Sequence, residues 1–262
     1  INNANFVYSD GQIENTYTTV ANLSPEEADT FTLGLVYNPH YIEGLSATVD
    51  YFNIEVSNAI SRISTQTYLD QCYAGETSYC DVLNITRNEI TGNIDYMESP
   101  LTNVGTVETR GVDMNMTYVF EAMGYDWGVN LDATRLLEYT EDEVEYTGKI
   151  DGTNGGFAKW KSNLGIKVGQ DDWTASYKIR YIGSMTDDYY AAYDLVQDVS
   201  SVTYHDLAAQ YFVNDTWSVS AGIDNVFDKT PPYIYSWNNA NTVPEVYDVM
   251  GRYYHAKVTA RF

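Results

Sequence analysis

Nearly every ordered-looking stretch of the chain alternates apolar and polar residues with period two, and the 3.6-residue period of an amphipathic helix is hard to find. The final segment is the clearest case. Tyr254, Ala256, Val258, Ala260 and Phe262 share one face, while Tyr253, His255, Lys257, Thr259 and Arg261 share the other. Trp217, Val219, Ala221 and Ile223 stand in the same way against Thr216, Ser218, Ser220 and Asp224. Trp173, Ala175, Tyr177, Ile179 and Tyr181 stand against Thr174, Ser176, Lys178 and Arg180. Apolar faces recur at Phe31–Tyr37, Leu45–Tyr51, Val112–Phe120 and Trp127–Ala133, with weaker versions at 160–168 and 203–213. The pattern predicts about nine strands, at 30–38, 45–62, 101–119, 126–138, 156–168, 172–187, 200–213, 216–226 and 251–262.

The connections alternate in length. Asn38–Gly44, Glu121–Tyr125, Gly169–Asp171 and Val213–Asp215 are short and rich in turn residues. Ile63–Pro100, Tyr139–Gly155, Asp188–Val199 and Phe227–Met250 are long. An up-and-down sheet with tight turns at one end and elaborate loops at the other is the pattern of a transmembrane barrel. Trp127, Trp173 and Trp217 each follow a short turn with apolar-face parity, and Tyr37, Tyr118 and Phe120 occupy equivalent heights. They are expected to form an aromatic girdle at a membrane–water interface. Tyr51, Trp160, Tyr181 and Tyr254 would make the second ring. The fold class expected is therefore all-β, a transmembrane antiparallel up-and-down β-barrel. A soluble β-sandwich also alternates but has no reason to collect Trp at one end of its outward faces, and a passive porin fits the alternation equally well.

Composition narrows this further. The 262 residues carry 14 Lys and Arg against 37 Asp and Glu, a formal charge of −23, which argues against nucleic acid as a partner. With 44% hydrophobic residues the chain is not a disordered one. No stretch reaches the roughly 18 apolar residues of a transmembrane helix. The start at Ile1 lacks a basic and an apolar leader region, so a mature form or a piece cut from a longer chain is expected. Cys72 and Cys80 lie in the polar stretch Gln71–Cys80 without a histidine. A short disulfide loop suits them better than a metal site, with two free thiols as the alternative.

No catalytic constellation, metal site or cofactor motif stands out, and an enzyme is not expected. His40, His205 and His255 are far apart in sequence, and His255 has inner-face parity. The carboxylates Asp187-Asp188 and Glu141-Asp142-Glu143 read as solvated loop acids, and the glycines Gly152, Gly155 and Gly156 as a flexible loop, without the Lys-Ser/Thr of a phosphate cradle. Substrate capture is the better use of the long loops. Tyr189, Tyr190 and Tyr193 cluster in one, and Tyr233, Tyr235 and Trp237 in another after Pro231-Pro232. Such side chains offer area with a polar handle, suited to a sugar, an aromatic siderophore or a cobalamin-like ligand, or they pack loop on loop. Lys178, Arg180, Lys257 and Arg261 have inner-face parity and could pair with Asp113, Asp132 and Asp224. The acidic run Glu138–Glu145 would repel a polyanionic ferric catecholate more than a neutral ligand.

Three stretches resemble the C-terminal part of a TonB-dependent outer-membrane receptor. Asn22–Gly34 is similar to the strand entry L-x-P-E-x-x-x-x-Y-x-L-G, with Phe31 in place of Tyr. Gly222-Ile223-Asp224-Asn225-Val226-Phe227-Asp228-Lys229 resembles G-x-x-N-L-F-D-K, with Val226 for Leu. Gly251-Arg252-Tyr253-Tyr254, running to Arg261-Phe262, resembles the family's closing strand. The resemblance implies a 22-stranded barrel filled by an N-terminal plug, of which this chain would hold about the last nine strands. Residues 1–27 would finish an extracellular loop, residues 28–262 would be strands and loops, and the plug would lie outside this chain. It also implies short turns in the periplasm, long loops outside a Gram-negative cell, and Phe262 as the mark read by the barrel-assembly machinery. The expected partners are outer-membrane lipid, the plug of the same full-length protein, the TonB complex and a bulky small-molecule nutrient. A passive porin, or a secreted carbohydrate-binding β-domain, is the alternative.

Overall fold

The computed structural model describes residues 13–61, 65–103, 105–141, 144–151, 155–191, 194–236 and 240–261. Its chain divides into two compact units, Ile1–Asp29 with Glu55–Val107 and Thr30–Ile54 with Glu108–Phe262.

The second unit is built on nine strands: β1 (Glu27–Tyr37), β2 (Leu45–Ser57), β3 (Thr106–Ala122), β4 (Tyr125–Glu141), β5 (Trp160–Gln170), β6 (Trp173–Ile182), β7 (Val202–Phe212), β8 (Trp217–Asp224) and β9 (Tyr253–Ala260). Each pairs with its neighbours in sequence, so they form one meander from β1 to β9. The first residues of β1 and β3 and the last of β2 belong to the other unit. All nine coincide with predicted strands. The main displacement is at β3, where the stretch before Gly105 forms a separate strand instead.

Register carries the alternation across the sheet. Trp173 pairs with Tyr211, Tyr211 with Val219, and Val219 with Val258; one step along, Ala175, Ala209, Ala221 and Ala256 form a second row. Tyr177, Leu207, Ile223 and Tyr254 form a third. The aromatics at the short-turn end also meet. Tyr118 stacks on Phe120 at 4.7 Å between centroids, Phe120 on Trp127 at 6.3 Å, and Tyr125 meets Trp173 edge-on at 5.8 Å. Tyr37 hydrogen-bonds Tyr41, and the Trp127 indole donates to the Ala122 carbonyl at 3.2 Å. His205 interrupts the apolar face, opposite Ile179, and its Nδ1 lies 2.7 Å from the Tyr177 hydroxyl. A polar group on such a face needs a partner, and Tyr177 supplies one.

The opposite face is polar. Asp113 accepts a bond from the Thr134 hydroxyl at 2.6 Å, and Asp132 accepts from Asn115 and Asn130. Arg180 does not use the carboxylates expected from sequence. It forms two bonds to Asp206, at 2.8 and 3.1 Å, and a third to Asp248 at 3.2 Å. Its guanidinium also lies 4.9 Å from the Tyr204 ring centroid, and the Tyr204 hydroxyl accepts the Asp248 amide. Asp224, also named as a partner, stands 3.8 Å from His255.

Asp248 belongs to the last long loop, so this cluster fastens that loop to the polar face. Around it lies the larger buried core: Ile150, Ala158, Met185, Val199, Val202, Tyr204, Ile234, Val243 and Tyr247. These residues come from β7 and from three of the long connections, which fold into a layer of their own. Its frame is a four-stranded sheet of Gly155–Gly156, Lys149–Asp151, Met185–Tyr190 and Leu195–Val199. Burial, and the neighbouring Tyr204, push the Tyr247 phenol above its ordinary pKa.

The first unit contains what sequence had left as a long loop. Strand Glu14–Thr19 runs parallel to Ile94–Asn103, and Ile60–Ser61 and Thr86–Arg87 pair antiparallel with the same strand. Helices Thr65–Ala74 and Thr77–Val82 are joined by a Cys72–Cys80 disulfide, which fixes a short segment otherwise too small to hold helical turns. Tyr68, Leu83 and Met97 are buried, and Ser99 is held between Thr65 and Asn15.

Two substitutions in the full-length protein test these contacts. Gly44 has φ +79°, and a Cβ there would sit 2.0 Å from the Val119 carbonyl oxygen. Gly44→Ala should therefore destabilise the sheet by about 1–3 kcal/mol or more, read as a lower melting temperature. Asp248→Ala removes a charge-assisted bond worth about 1.5–3 kcal/mol. Amide exchange over 243–250 should quicken by roughly tenfold or more, with the unfolding of the sheet little changed.

Candidate functional site

The residues singled out in the long loops are brought together in part. After Pro231-Pro232 the side chains alternate in burial: Ile234 and Ser236 are buried, whereas Tyr233 and Tyr235 are 58% and 63% exposed. Their rings meet edge to face at 5.4 Å. Gln197 holds this segment through both ends of its amide, donating to the Tyr233 carbonyl at 2.7 Å and accepting the Tyr235 amide at 3.2 Å. The Ile234 amide donates to the Asn241 carbonyl at 2.9 Å.

Tyr189 lies on strand Met185–Tyr190, which pairs with the strand carrying Gln197. The link between the two tyrosine groups is Asp187. Its carboxylate accepts the Tyr189 amide and the Ser236 amide, each at 3.3 Å. Asp187 is only 3% exposed, so its reading as a solvated loop acid was wrong. Strand alternation turns Asp187 inward with Met185, while Asp188 turns out and forms an ion pair with Lys149 at 2.8 Å. Tyr190 is on the same strand; Tyr193 and Trp237, like Phe262, Asp142, Glu143 and Gly152, lie outside the described residues. The site is thus a set of exposed tyrosines on a backbone fixed by one glutamine and one buried carboxylate.

The base of this loop was not legible as a functional element. Asn225 is fully buried in the left-handed conformation, φ 51°. Its amide group bonds Lys229 twice, donating to the carbonyl at 2.9 Å and accepting the N–H at 2.8 Å. Its own N–H donates to Asp206 at 2.9 Å, which joins it to the Arg180 cluster. Asp228, also left-handed, accepts the Arg252 amide at 2.9 Å across the loop's two ends. The Asn225–Lys229 stretch is therefore the clasp that closes the last loop; its only sequence signal was the motif itself.

Glu145, in the acidic stretch, is pushed up by partial burial but held below its ordinary pKa by bonds from Thr147 and the charge of Lys149. It stays ionised at neutral pH. Among the described residues no group of three or more His, Cys, Asp or Glu is placed to hold a metal ion, and no helix is long and apolar enough to cross a membrane.

The family model described as TonB dependent receptor-like, beta-barrel matches residues 2–226. No curated protein matches the chain. Among solved structures it is similar to the siderophore receptor PirA from Acinetobacter baumannii, with 14% identity and a TM-score of 0.60 over 92% of this chain and 32% of that one. It is similar to a ferric enterobactin receptor from Pseudomonas aeruginosa, with 20% identity and a TM-score of 0.58 over 90% and 31%. It is also similar to the FrpB iron transporter from Neisseria meningitidis, with 15% identity and a TM-score of 0.55 over 94% and 33%. The chain spans about a third of the length of each of these proteins. At such identities the likeness is one of fold, and it explains why nine strands leave two unpaired edges: the sheet is one part of a barrel. With the family model covering most of its length, the chain belongs to the TonB-dependent receptor β-barrel family.

Proposed function

We propose that this chain is the C-terminal barrel portion of an outer-membrane receptor that imports a bulky, scarce nutrient with energy delivered through TonB. The observation that carries the reading is the last long loop, clasped by Asn225 and pinned to the polar face by Arg180. A passive pore needs an open lumen. A receptor instead needs loops held in place to present a binding surface, and the exposed Tyr189, Tyr233 and Tyr235 are held in this way.

In this reading the apolar face meets lipid, and Tyr37, Trp127, Trp173 and Trp217 mark the periplasmic interface. The short turns are periplasmic and the long loops extracellular. Residues 1–27 complete a preceding extracellular loop, a plug from the same full-length protein lies against the polar face, and Phe262 marks the last strand for barrel assembly. The relatives named above are receptors or transporters for a siderophore, ferric enterobactin and iron. For this chain the acidic run Glu138–Glu145 favours a neutral ligand, an oligosaccharide or a neutral siderophore or cobalamin-like complex, over a polyanion.

Deleting TonB in the native host should abolish uptake of the nutrient and growth that depends on it. Growth unaffected by that deletion, together with passive conductance of the purified full-length protein, would return the reading to a porin. Replacing Tyr189, Tyr233 and Tyr235 by Ala in the full-length protein should weaken nutrient binding by roughly tenfold or more without altering heat-modifiable migration. Nanomolar binding of a ferric catecholate would refute the preference for a neutral ligand.

A further inference from the structure

The loop layer has a second face that the tyrosine site does not use. Strands Met185–Tyr190 and Leu195–Val199 turn Met185, Asp187 and Val199 into the buried core. Thr186 and Asp198 pair in register and therefore lie on the opposite face. A recess of about 310 Å³ opens there, lined by Gly148, Lys159, Ser184, Thr186, Asp198 and Ser200 together with Met185 and Val199. It lies at the long-loop end of the sheet, since Lys159 directly precedes β5 and Ser184 and Ser200 flank β6 and β7.

Its chemistry is one ammonium, one carboxylate and three hydroxyls, so its formal charges cancel. The neighbouring Lys149 and Asp188 already neutralise one another at 2.8 Å. The Lys159 stem lies flat against Gly148, where an added Cβ would come within 2.7 Å of Cε. The Thr186 hydroxyl reaches Asp198 only at 3.4 Å, which leaves the carboxylate with most of its accepting capacity. A net anion would meet Asp198 and a net cation would meet Lys159. A neutral ring bearing vicinal hydroxyls satisfies both, donating to the carboxylate and accepting from the ammonium. The volume is at the lower end of ligand pockets, which run from roughly 300 to 1,000 Å³, and suits a single ring rather than a large chelate.

We propose that this recess binds one ring of a neutral, hydroxyl-rich sugar, as a unit of a larger glycan. The inference rests on the receptor reading only for the source of that glycan, which is either the imported oligosaccharide or the sugar portion of a surface lipid beside the barrel.

The test titrates the purified full-length receptor in detergent with glucose, galactose, mannose, N-acetylglucosamine and their short oligomers, using glucose 6-phosphate as the anionic control. At least one neutral sugar should bind. Asp198→Asn and Lys159→Met should each weaken that binding by tenfold or more while heat-modifiable migration is kept. An imported oligosaccharide would show as growth on that sugar lost in the Asp198→Asn strain. A surface glycolipid would show as a copurifying species, seen by native mass spectrometry, that Asp198→Asn depletes; either outcome supports the proposal. No neutral sugar binding, binding unmoved by both variants, tighter binding of the phosphorylated sugar, or neither source responding to Asp198→Asn would overturn it. Uptake that still requires TonB while the titration fails would remove the sugar recess and leave the receptor reading standing.

Discussion

A strand whose two faces meet different surroundings tolerates no slip, because moving it by one residue exchanges every outward side chain for an inward one. Here that constraint runs through successive strands. The alanine row at 175, 209, 221 and 256 stays in line only if β6, β7, β8 and β9 each hold their register. The aromatic contacts at the short-turn end depend on the same alignment. A barrel wall in lipid must also pair all its backbone groups, since hydrocarbon offers no substitute partner. Register and backbone pairing therefore fix the wall, and the loops are free to vary on top of it.

That freedom is limited by a few polar contacts. Arg180 is shared between Asp206, on a neighbouring strand, and Asp248, in the loop. Asp206 also receives the Asn225 amide, so one carboxylate couples the wall, the clasp and the loop. Asp187 does the same within the loop layer. Charge-assisted bonds of this kind are worth more than neutral ones, and their loss leaves a partly buried charge unpaired. The long connections hold their shape through these groups and the apolar core beneath them, with little help from backbone propensity.

The net charge of −23 is distributed in a way that serves both surfaces. The rows from Trp173 to Val258 and from Tyr177 to Tyr254 carry no acid. On the polar face Asp113, Asp132 and Asp206 are engaged by Thr134, Asn115 and Arg180.

Nine strands, their facing and the short turns were all legible by period two, because side-chain alternation is local and survives any arrangement of neighbours. The family was legible from three short motifs, although the role of Asn225 within one of them was not. The Cys72–Cys80 disulfide was legible from spacing, but not the two helices that it links. The sequence also misread Asp187 and missed Asp248 as a partner of Arg180, although Asp187 follows the same alternation once its strand is known. Those outcomes depend on contacts between segments tens of residues apart. Sequence by itself determined which residues face which side of the wall; only the tertiary structure decided which loop acids are buried, because burial depends on the partner that covers them.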